Sequence, residues 1–286
     1  MGSSYTVKKV LNNNVIIANS LPGKDEVVLI GKGIGFNKSK GNSIDVSPIE
    51  KLFVLTSEKE QDQYKKLLPY VSEEIIECMN DVIHFITVSI RKKLNQQLLI
   101  SLTDHISFAI KRLQEGLEIK NPFSLETKTL YPEEYSVATE VVQMINEKLE
   151  VSFPEGEIGF IALHIHSAVS DRRLSEVNQH SQLIHKLVEV IEDSLKTNLD
   201  REGVQYVRLV SHIRFMLDRV RSEENVGIST NLSNILQAEY PVCYNLAWKL
   251  IKIVQQQLKV KVFEAEAVYL TLHLQRLSAK NQEITS

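Results

Sequence analysis

An internal repeat covers most of the chain and limits the folds available to it more than any other sequence feature. Residues 131–165 align without a gap with residues 240–274, and both stretches begin with Tyr-Pro-x-x-Tyr. Both then keep the same polar residues in the same order: Glu155, Glu157 and His164 in the first, and Glu264, Glu266 and His273 in the second. Upstream, Leu-x-x-His-Ile-x-Phe occurs at 102–108 and 209–215, followed by Arg112 and Arg219. Because chance rarely preserves polar residues in order, one structural module occurs twice.

Each copy has the apolar spacing of amphipathic helices. In the first copy this spacing appears in Val71, Ile75, Ile76, Met79, Val82, Ile83 and Ile86, and again in Val137, Val141, Val142, Ile145 and Leu149. Pro132 stands near one expected helix start, and the acidic segment 154–157 opens the helix that carries His164. We therefore predict a bundle of about five helices for each copy, joined by the polar stretch 170–180.

Each copy carries two histidines at equivalent positions, His105 with His164 and His212 with His273. A single histidine in an apolar helix is usually a core residue, but two equivalent pairs indicate a function. A metal site needs three or four ligands, and the neighbouring His166 has a glutamine as its repeat partner. Acid–base catalysis needs a nucleophile or paired carboxylates, and none converges on the histidines in the sequence. Reversible phosphorylation remains, since a neutral imidazole nitrogen is a nucleophile toward phosphoryl donors.

The first 55 residues differ in character from the repeat. Alternating or β-branched stretches separated by turn residues predict four strands, at 5–11, 15–18, 26–30 and 51–55. The segment carries seven lysines and four acidic residues, a net charge of +3, whereas the whole chain has a formal net charge of −3. We predict a small antiparallel sheet that dimerises, because so short a segment buries little apolar surface alone. Its excess positive charge favours a polyanion as its partner.

The glycine-rich stretch from Gly31 to Phe36 is the candidate binding loop of this sheet. It has no Lys-Ser/Thr ending and no following helix, which disfavours a nucleotide phosphate site. The glycines allow a partner to approach the backbone closely, and Lys32 supplies a positive charge. Phe36 offers a ring face on which a base can stack, and the Asn14 amide offers a hydrogen-bond donor and an acceptor. Such groups suit unpaired bases of RNA. The alternative is that Phe36 belongs to the core and the asparagine run is only a turn.

Composition excludes several other classes of protein. No apolar run is long enough to span a membrane, and the N-terminus lacks the pattern of a signal peptide. The two cysteines match no metal or disulfide spacing. We expect a cytoplasmic protein that needs no cofactor.

Two stretches of the N-terminal segment, Lys9–Val15 and Val27–Phe36, resemble the co-antiterminator RNA-binding domain of the BglG/SacY family of transcriptional antiterminators. The helical repeat is similar to that family's PTS-regulation domain, or PRD. Within the family, Asn121-Pro-Phe and the stretches 154–160 and 174–180 resemble its glucose-type members. The resemblance implies a multidomain chain with a small antiparallel β-sheet RNA-binding domain at 1–58 and two all-α PRD bundles at 62–170 and 174–280.

The same resemblance implies a regulatory function rather than an enzymatic one. A homodimer would bind an RNA hairpin in a nascent mRNA leader and prevent a terminator from forming, with no membrane insertion and no small-molecule substrate. The matching RNA-contact positions are Lys9, Asn14, Gly31, Lys32 and Phe36, although several relatives carry arginine at the position of Lys32. A sugar-specific PTS permease component would phosphorylate His105 and His164, and the phosphocarrier HPr would act mainly on His212 and His273. The alternative is a PRD-containing DNA-binding activator, which needs a helix-turn-helix where strands are predicted.

Overall fold

The computed structural model describes residues 4–11, 13–21, 26–31, 33–46, 49, 51–54, 66–67, 71–95, 97–117, 120–222 and 230–284. The chain divides into two compact units, Met1–Lys120 with Glu133–Arg172 and Asn121–Pro132 with Arg173–Ser286. No helix in the described part of the chain is both long and apolar enough to cross a bilayer.

The N-terminal segment forms an antiparallel sheet in the first unit. Its strands are β1 Ser4–Val10, β2 Val15–Leu21, β3 Glu26–Ile30, β4 Ser43–Ile44 and β5 Lys51–Val54, arranged in the order β4-β1-β2-β3-β5. The four predicted strands are confirmed. The short strand β4 was not predicted, and it forms because Asn42 and Gly41 hydrogen-bond with the backbone of Val7 and bring the polar loop alongside β1.

Both faces of the central strands β2 and β3 are buried. One face belongs to a small core made of Tyr5, Val7, Ile16, Ala18, Val27, Leu29, Ile34 and Ile44. On the other face Val15, Ile17, Val28 and Ile30 belong to the hydrophobic core of the first helical bundle. This double burial explains the continuous apolar run of β2, since a strand with one solvated face would alternate with polar residues.

The helices of the first copy are α1 Glu73–Ile90, α2 Gln97–Gln114, α3 Ser124–Leu130, α4 Pro132–Leu149 and α5 Gly156–Ser170. Ser72 caps α1 by accepting a hydrogen bond from the backbone N–H of Ile75, and α4 begins at the predicted Pro132. Helix α2 packs against α1 and α5. This packing sets His105 on α2 beside His164 on α5.

The second copy has the helices α6 Leu174–Leu195, α7 Val204–Arg221, α8 Thr230–Glu239, α9 Pro241–Leu258 and α10 Glu264–Ile284. Among the described residues each copy contributes five helices, which confirms that both copies are all-α. The polar joint predicted at 170–180 is wrong in part, because α6 already begins at Leu174. Val177, His180 and Ser181 are buried on the inner face of α6 and extend its apolar stripe toward the N-terminus.

Helix α3 comes from the first copy but belongs to the second compact unit, where it packs against α6 and α7. Its buried Glu126 accepts hydrogen bonds at Oε1 from the Tyr206 hydroxyl, at 2.8 Å, and from His185 Nδ1, at 3.1 Å. Arg214 donates to the backbone oxygen of Leu130 at 3.0 Å. Burial, followed by the Glu126 charge, raises the pKa of Tyr206, which therefore stays a hydrogen-bond donor.

Candidate RNA surface and histidine sites

The turn before β2 and the loop after β3 are tied together at one end of the sheet. The backbone oxygen of Asn14 accepts from the Gly31 N–H at 3.0 Å, and its side-chain Oδ1 accepts from the Gly33 N–H at 2.7 Å. Gly35 donates to the backbone oxygen of Asn13 at 2.8 Å. Gly33 has a φ of +70°, which a residue with a Cβ adopts only with strain. Two of the predicted RNA-contact residues, Asn14 and Gly31, are therefore hydrogen-bonded to each other across the two segments.

Phe36 projects from the same loop and is 63% exposed, whereas its neighbour Ile34 is buried in the small core of the sheet. The alternative that Phe36 is a core residue is therefore wrong. Lys9 is exposed on β1, farther along the sheet, beside a bulge in the β1–β2 pairing. Lys32 lies outside the described residues.

Two carboxylates at the start of α1 face this turn. The side-chain amide of Asn14 donates to Glu77 Oε1 at 3.0 Å. The backbone N–H of Asn13 donates to Glu73 Oε1 at 3.3 Å. The Asn14 amide, predicted to read a base, is thus bonded to an acidic residue of the helical bundle, a contact that nothing in the local sequence indicated.

In the first copy the predicted histidine pair is brought together, with ring centroids 5.0 Å apart. Glu157 at the start of α5 bonds His105 Nε2 through one oxygen, at 2.9 Å, and Arg112 through the other, at 3.0 Å. His164 Nδ1 lies 3.3 Å from the hydroxyl of Ser101. An ionised carboxylate only accepts hydrogen bonds, so Glu157 holds the proton of a neutral His105 on Nε2 and leaves the lone pair on Nδ1.

The two histidines of the first pair differ in exposure. His105 is half-buried, with 17% of its side chain exposed, whereas His164 is buried. Burial and then the neighbouring His105 lower the pKa of His164 to about 3. His164 is therefore a neutral imidazole at physiological pH, and His105 is the more accessible of the two. A groove of about 640 Å³ runs beside α2 and is lined by Lys66, Leu67, Val71, Gln97, Ile100, Ser101, Asp104, Ser107, Phe108 and Lys111.

In the second copy the predicted pair is closer, since His212 and His273 stack with centroids 3.4 Å apart and planes tilted by 32°. Burial, the His212 ring and Arg276 lower the pKa of His273 to about 4. Burial followed by Arg219, Arg276 and Arg208 also lowers the pKa of His212. Both rings are therefore held in the neutral form that a nucleophile requires.

The equivalent glutamates of the two copies have different partners. Glu157 divides its oxygens between His105 and Arg112. Glu266 gives both oxygens to Arg219, with Nε–Oε1 at 2.8 Å and Nη2–Oε2 at 2.6 Å. The sequence marked all four charged residues as repeat matches but assigned them no role. The sequence did not predict that Glu157 bonds His105 or that Glu266 bonds Arg219, because the two partners of each bond are far apart in the chain.

Comparisons with known proteins match both the N-terminal sheet and the two helical copies to described families. Residues 80–168 and 185–277 match the family described as "PRD domain", and residues 5–62 match the family described as "CAT RNA binding domain". The chain is 58% identical over 280 residues to the "PtsGHI operon antiterminator" of Bacillus subtilis, over 98% of this chain and 99% of that protein. It is 43% identical over 285 residues to the "GlcA/glcB genes antiterminator" of Staphylococcus carnosus, over 99% of both chains.

A solved structure covers the first part of the chain. It is described as "Crystal structure of GlcT CAT-PRDI" and is 57% identical in sequence, with a TM-score of 0.54. The match spans 58% of this chain and 99% of that one.

Proposed function

Since the chain belongs to the family of transcriptional antiterminators that join a CAT RNA-binding domain to two PRD domains, we propose that it binds an RNA hairpin in a nascent mRNA leader and prevents a terminator from forming there. One observation carries this proposal: the identity of 58% to a named antiterminator extends over 98% of the chain. The RNA-binding and regulatory parts are therefore both present and in the same order.

We place the RNA-contact surface on Lys9, Asn14, Gly31, Lys32 and Phe36. The exposed aromatic ring of Phe36 supports this placement, because an apolar side chain that is 63% exposed on a rigid loop is suited to stack on an unpaired base. The hydrogen bonds that fix Asn14 against Gly31 and Gly33 support it further, since a preorganised turn loses little entropy on binding.

We propose that the activity of the protein is controlled by phosphorylation of His105, His164, His212 and His273. The sugar-specific PTS permease component would modify the first pair and inactivate the protein, and HPr would act mainly on the second pair. Within the first pair, the more accessible His105 is the ring that a donor protein reaches first, because His164 is buried beside it. The regulated system is proposed to be a glucose system, since "Protein GlcT" of Staphylococcus saprophyticus is 44% identical over 273 residues.

The active form is proposed to be a homodimer whose population the phosphates shift. A phosphoryl group adds about −1.5 to −2 charges, and each change occurs twice across a two-fold axis. Moving a two-state equilibrium from one extreme to the other takes about 5.5 kcal/mol. A dianion beside the buried Glu157 is repelled by that carboxylate, which supports repacking of α2 and α5 as the local response.

The test compares hairpin RNA and duplex DNA as ligands of the full chain at one fixed salt concentration. We expect tight binding to a bulged hairpin and weak binding to DNA. The variants Asn14→Ala and Lys32→Ala should weaken hairpin binding, whereas Lys38→Ala, which removes an exposed lysine of the same segment, serves as the matched control. Preference for duplex DNA would favour the DNA-binding activator, and equal loss in all three variants would refute the proposed surface.

A further inference from the structure

The two histidine pairs differ in the residues that follow or precede them by about one helical turn. In the repeat alignment Arg208 takes the place of Ser101, and Arg276 takes the place of Ser167. Arg208 precedes His212 by four positions on α7, and Arg276 follows His273 by three on α10. Side chains at these spacings share one face of a helix. Each histidine of the second pair therefore has an arginine beside it that the first pair lacks.

The structure brings these arginines to a single small cavity. Gln205, Arg208, Leu209, His273, Arg276 and Leu277 line it, and His212 stacks on His273 at its wall. Helices α7 and α10 pack against each other, so the two arginines reach the cavity from separate elements. An anion placed there meets cationic groups from both helices.

In the part of the chain that the structure describes, no carboxylate is paired with either of the two arginines. Arg219 is paired with Glu266 through two hydrogen bonds. Among the described residues, neither Arg208 nor Arg276 forms an ion pair. The first pair has a negatively charged group beside it instead, because the Glu157 carboxylate is hydrogen-bonded directly to His105.

We propose that Arg208 and Arg276 form an oxyanion site that holds the phosphoryl group on the His212–His273 pair, so that the second pair retains phosphate under conditions in which the first does not. The proposal rests on histidine phosphorylation as the proposed function and adds the residues that stabilise one of its two products. Guanidinium groups bind phosphate oxygens through two parallel hydrogen bonds, which are about twice as strong as neutral ones. The lowered pKa of both rings agrees with this arrangement, since it keeps them nucleophilic.

The chemical step is a simple phosphoryl transfer. A ring nitrogen of His212 or His273 attacks phosphorus with its lone pair, and a new N–P bond forms as the N–P bond of the donor breaks. The bonding electron pair stays with the donor nitrogen, which leaves as ammonia when N-protonated phosphoramidate is the donor. The attacking ring then releases the proton on its other nitrogen to solvent. The three phosphoryl oxygens then lie beside the two guanidinium groups.

The experiment labels the full chain with phosphoramidate, a small donor that needs no partner protein, and measures the phosphate on each pair by mass spectrometry of peptides at mildly alkaline pH. We expect the second pair to be labelled more heavily than the first. The double variant Arg208→Ser and Arg276→Ser, which installs the residues of the first copy, should lower labelling of the second pair by at least about tenfold, since each lost charge-assisted hydrogen bond accounts for about that factor. Labelling of the first pair in the same molecules is the internal control.

A second measurement tests the site without covalent chemistry. Inorganic phosphate, added at constant ionic strength, should shift the imidazole NMR signals of His212 and His273 in the wild type and not in the double variant. Both arginines are exposed, so the variant should keep its unfolding temperature. Equal labelling of both pairs, or a double variant that labels and titrates like the wild type, would overturn the proposal.

Two further outcomes separate this inference from others. If the variant bound hairpin RNA more weakly but kept normal labelling, the arginines would belong to a nucleic-acid contact and the oxyanion site would be rejected. If PTS donor proteins failed to phosphorylate the chain, the proposed control mechanism would fail, but the phosphoramidate and phosphate results would still decide the oxyanion site.

Discussion

The side-chain amide of Asn14 donates a hydrogen bond to Glu77 on α1, with a nitrogen–oxygen distance of 3.0 Å. The same turn is bonded to Glu73 through the N–H of Asn13. An RNA that used Asn14 would have to replace the carboxylate, and its phosphates would be repelled by both acidic residues. If Asn14 contacts RNA as proposed, the helical bundle opposes that contact in this arrangement of the first unit.

The variant Glu77→Gln should consequently bind hairpin RNA more tightly. Removing one partly exposed charge is worth about 1 kcal/mol, which corresponds to about fivefold in affinity. Filter binding or fluorescence anisotropy with the full chain measures the change. Glu147→Gln, which removes the same charge from an exposed position of α4, is the control. An unaltered affinity in Glu77→Gln would show that the carboxylate does not compete with RNA.

Replacement of Phe36 by alanine should weaken hairpin binding without a change in stability. Stacking of a base on an aromatic ring contributes about 1–3 kcal/mol, so a loss of about tenfold or more is expected. Because the ring is 63% exposed, the unfolding temperature should stay the same. Val46→Ala, at an exposed apolar position after β4, provides the comparison. A destabilised Phe36→Ala protein would instead indicate a packing role.

The stability of the first unit should decrease as the pH falls below the pKa of an ordinary histidine. The pKa of His164 is lowered to about 3 in the fold, against about 6.5 in an unfolded chain. Between these values unfolding takes up a proton, so stability is present above about pH 6.5 and falls by up to about 1.4 kcal/mol per pH unit below it. His164→Gln should flatten the pH dependence of urea unfolding. His84→Gln, at an exposed position of α1, reports the effect of losing an imidazole alone.

The contact between Arg112 and Glu157 should show strong energetic coupling. Both side chains are largely buried; loss of Glu157 leaves the Arg112 charge without its carboxylate, and loss of Arg112 leaves Glu157 bonded to His105 alone. We expect each single variant, Arg112→Met and Glu157→Gln, to lower the free energy of unfolding by about 3 kcal/mol, and the double variant to lose much less than the sum. A double-mutant cycle of urea unfolding measures the coupling. Additive losses would argue against a direct interaction.

The attachment of α3 within the second unit should depend on the Tyr206 hydroxyl. Tyr206→Phe removes a donor from the buried carboxylate of Glu126 and should destabilise the unit by about 1–3 kcal/mol. Thermal unfolding measures this loss, and protease cleavage near residues 124–130 should become faster. Tyr240→Phe, which removes a hydroxyl from an exposed tyrosine, should have little effect. Equal stability of both variants would rule out the hydroxyl as the attachment.

Local sequence patterns predicted the parts of the fold that depend on local physics. Strand alternation and helical spacing are read within a few residues, and the starts of α4 and α5 follow from proline and acidic residues. Strand β4 was missed, because its two residues pair only after a long loop has folded back on β1. The start of α6 was missed because the face formed by Val177 and His180 is interrupted by polar residues.

The candidate sites show a similar limit. The repeat identified the four histidines, Arg112 with Arg219, and Glu157 with Glu266 as equivalent between the copies. It did not show that Glu157 bonds His105 while Glu266 bonds Arg219 alone, because the choice depends on side-chain distances within each bundle. The contact of Asn14 with Glu77 joins a turn to a helix of another predicted domain, and no local pattern contains it.

The double burial of strands β2 and β3 has a consequence for any partner that approaches the sheet. Val15, Ile17, Val28 and Ile30 already share a core with the first helical bundle, which the same chain carries. Groups tethered to one another meet at an effective concentration of about millimolar, higher than that of most free proteins in a cell. A second molecule can take this face only after the tethered cover has been released. A partner that occupied this face would therefore have to displace the bundle, and its affinity would report how firmly the bundle holds the sheet.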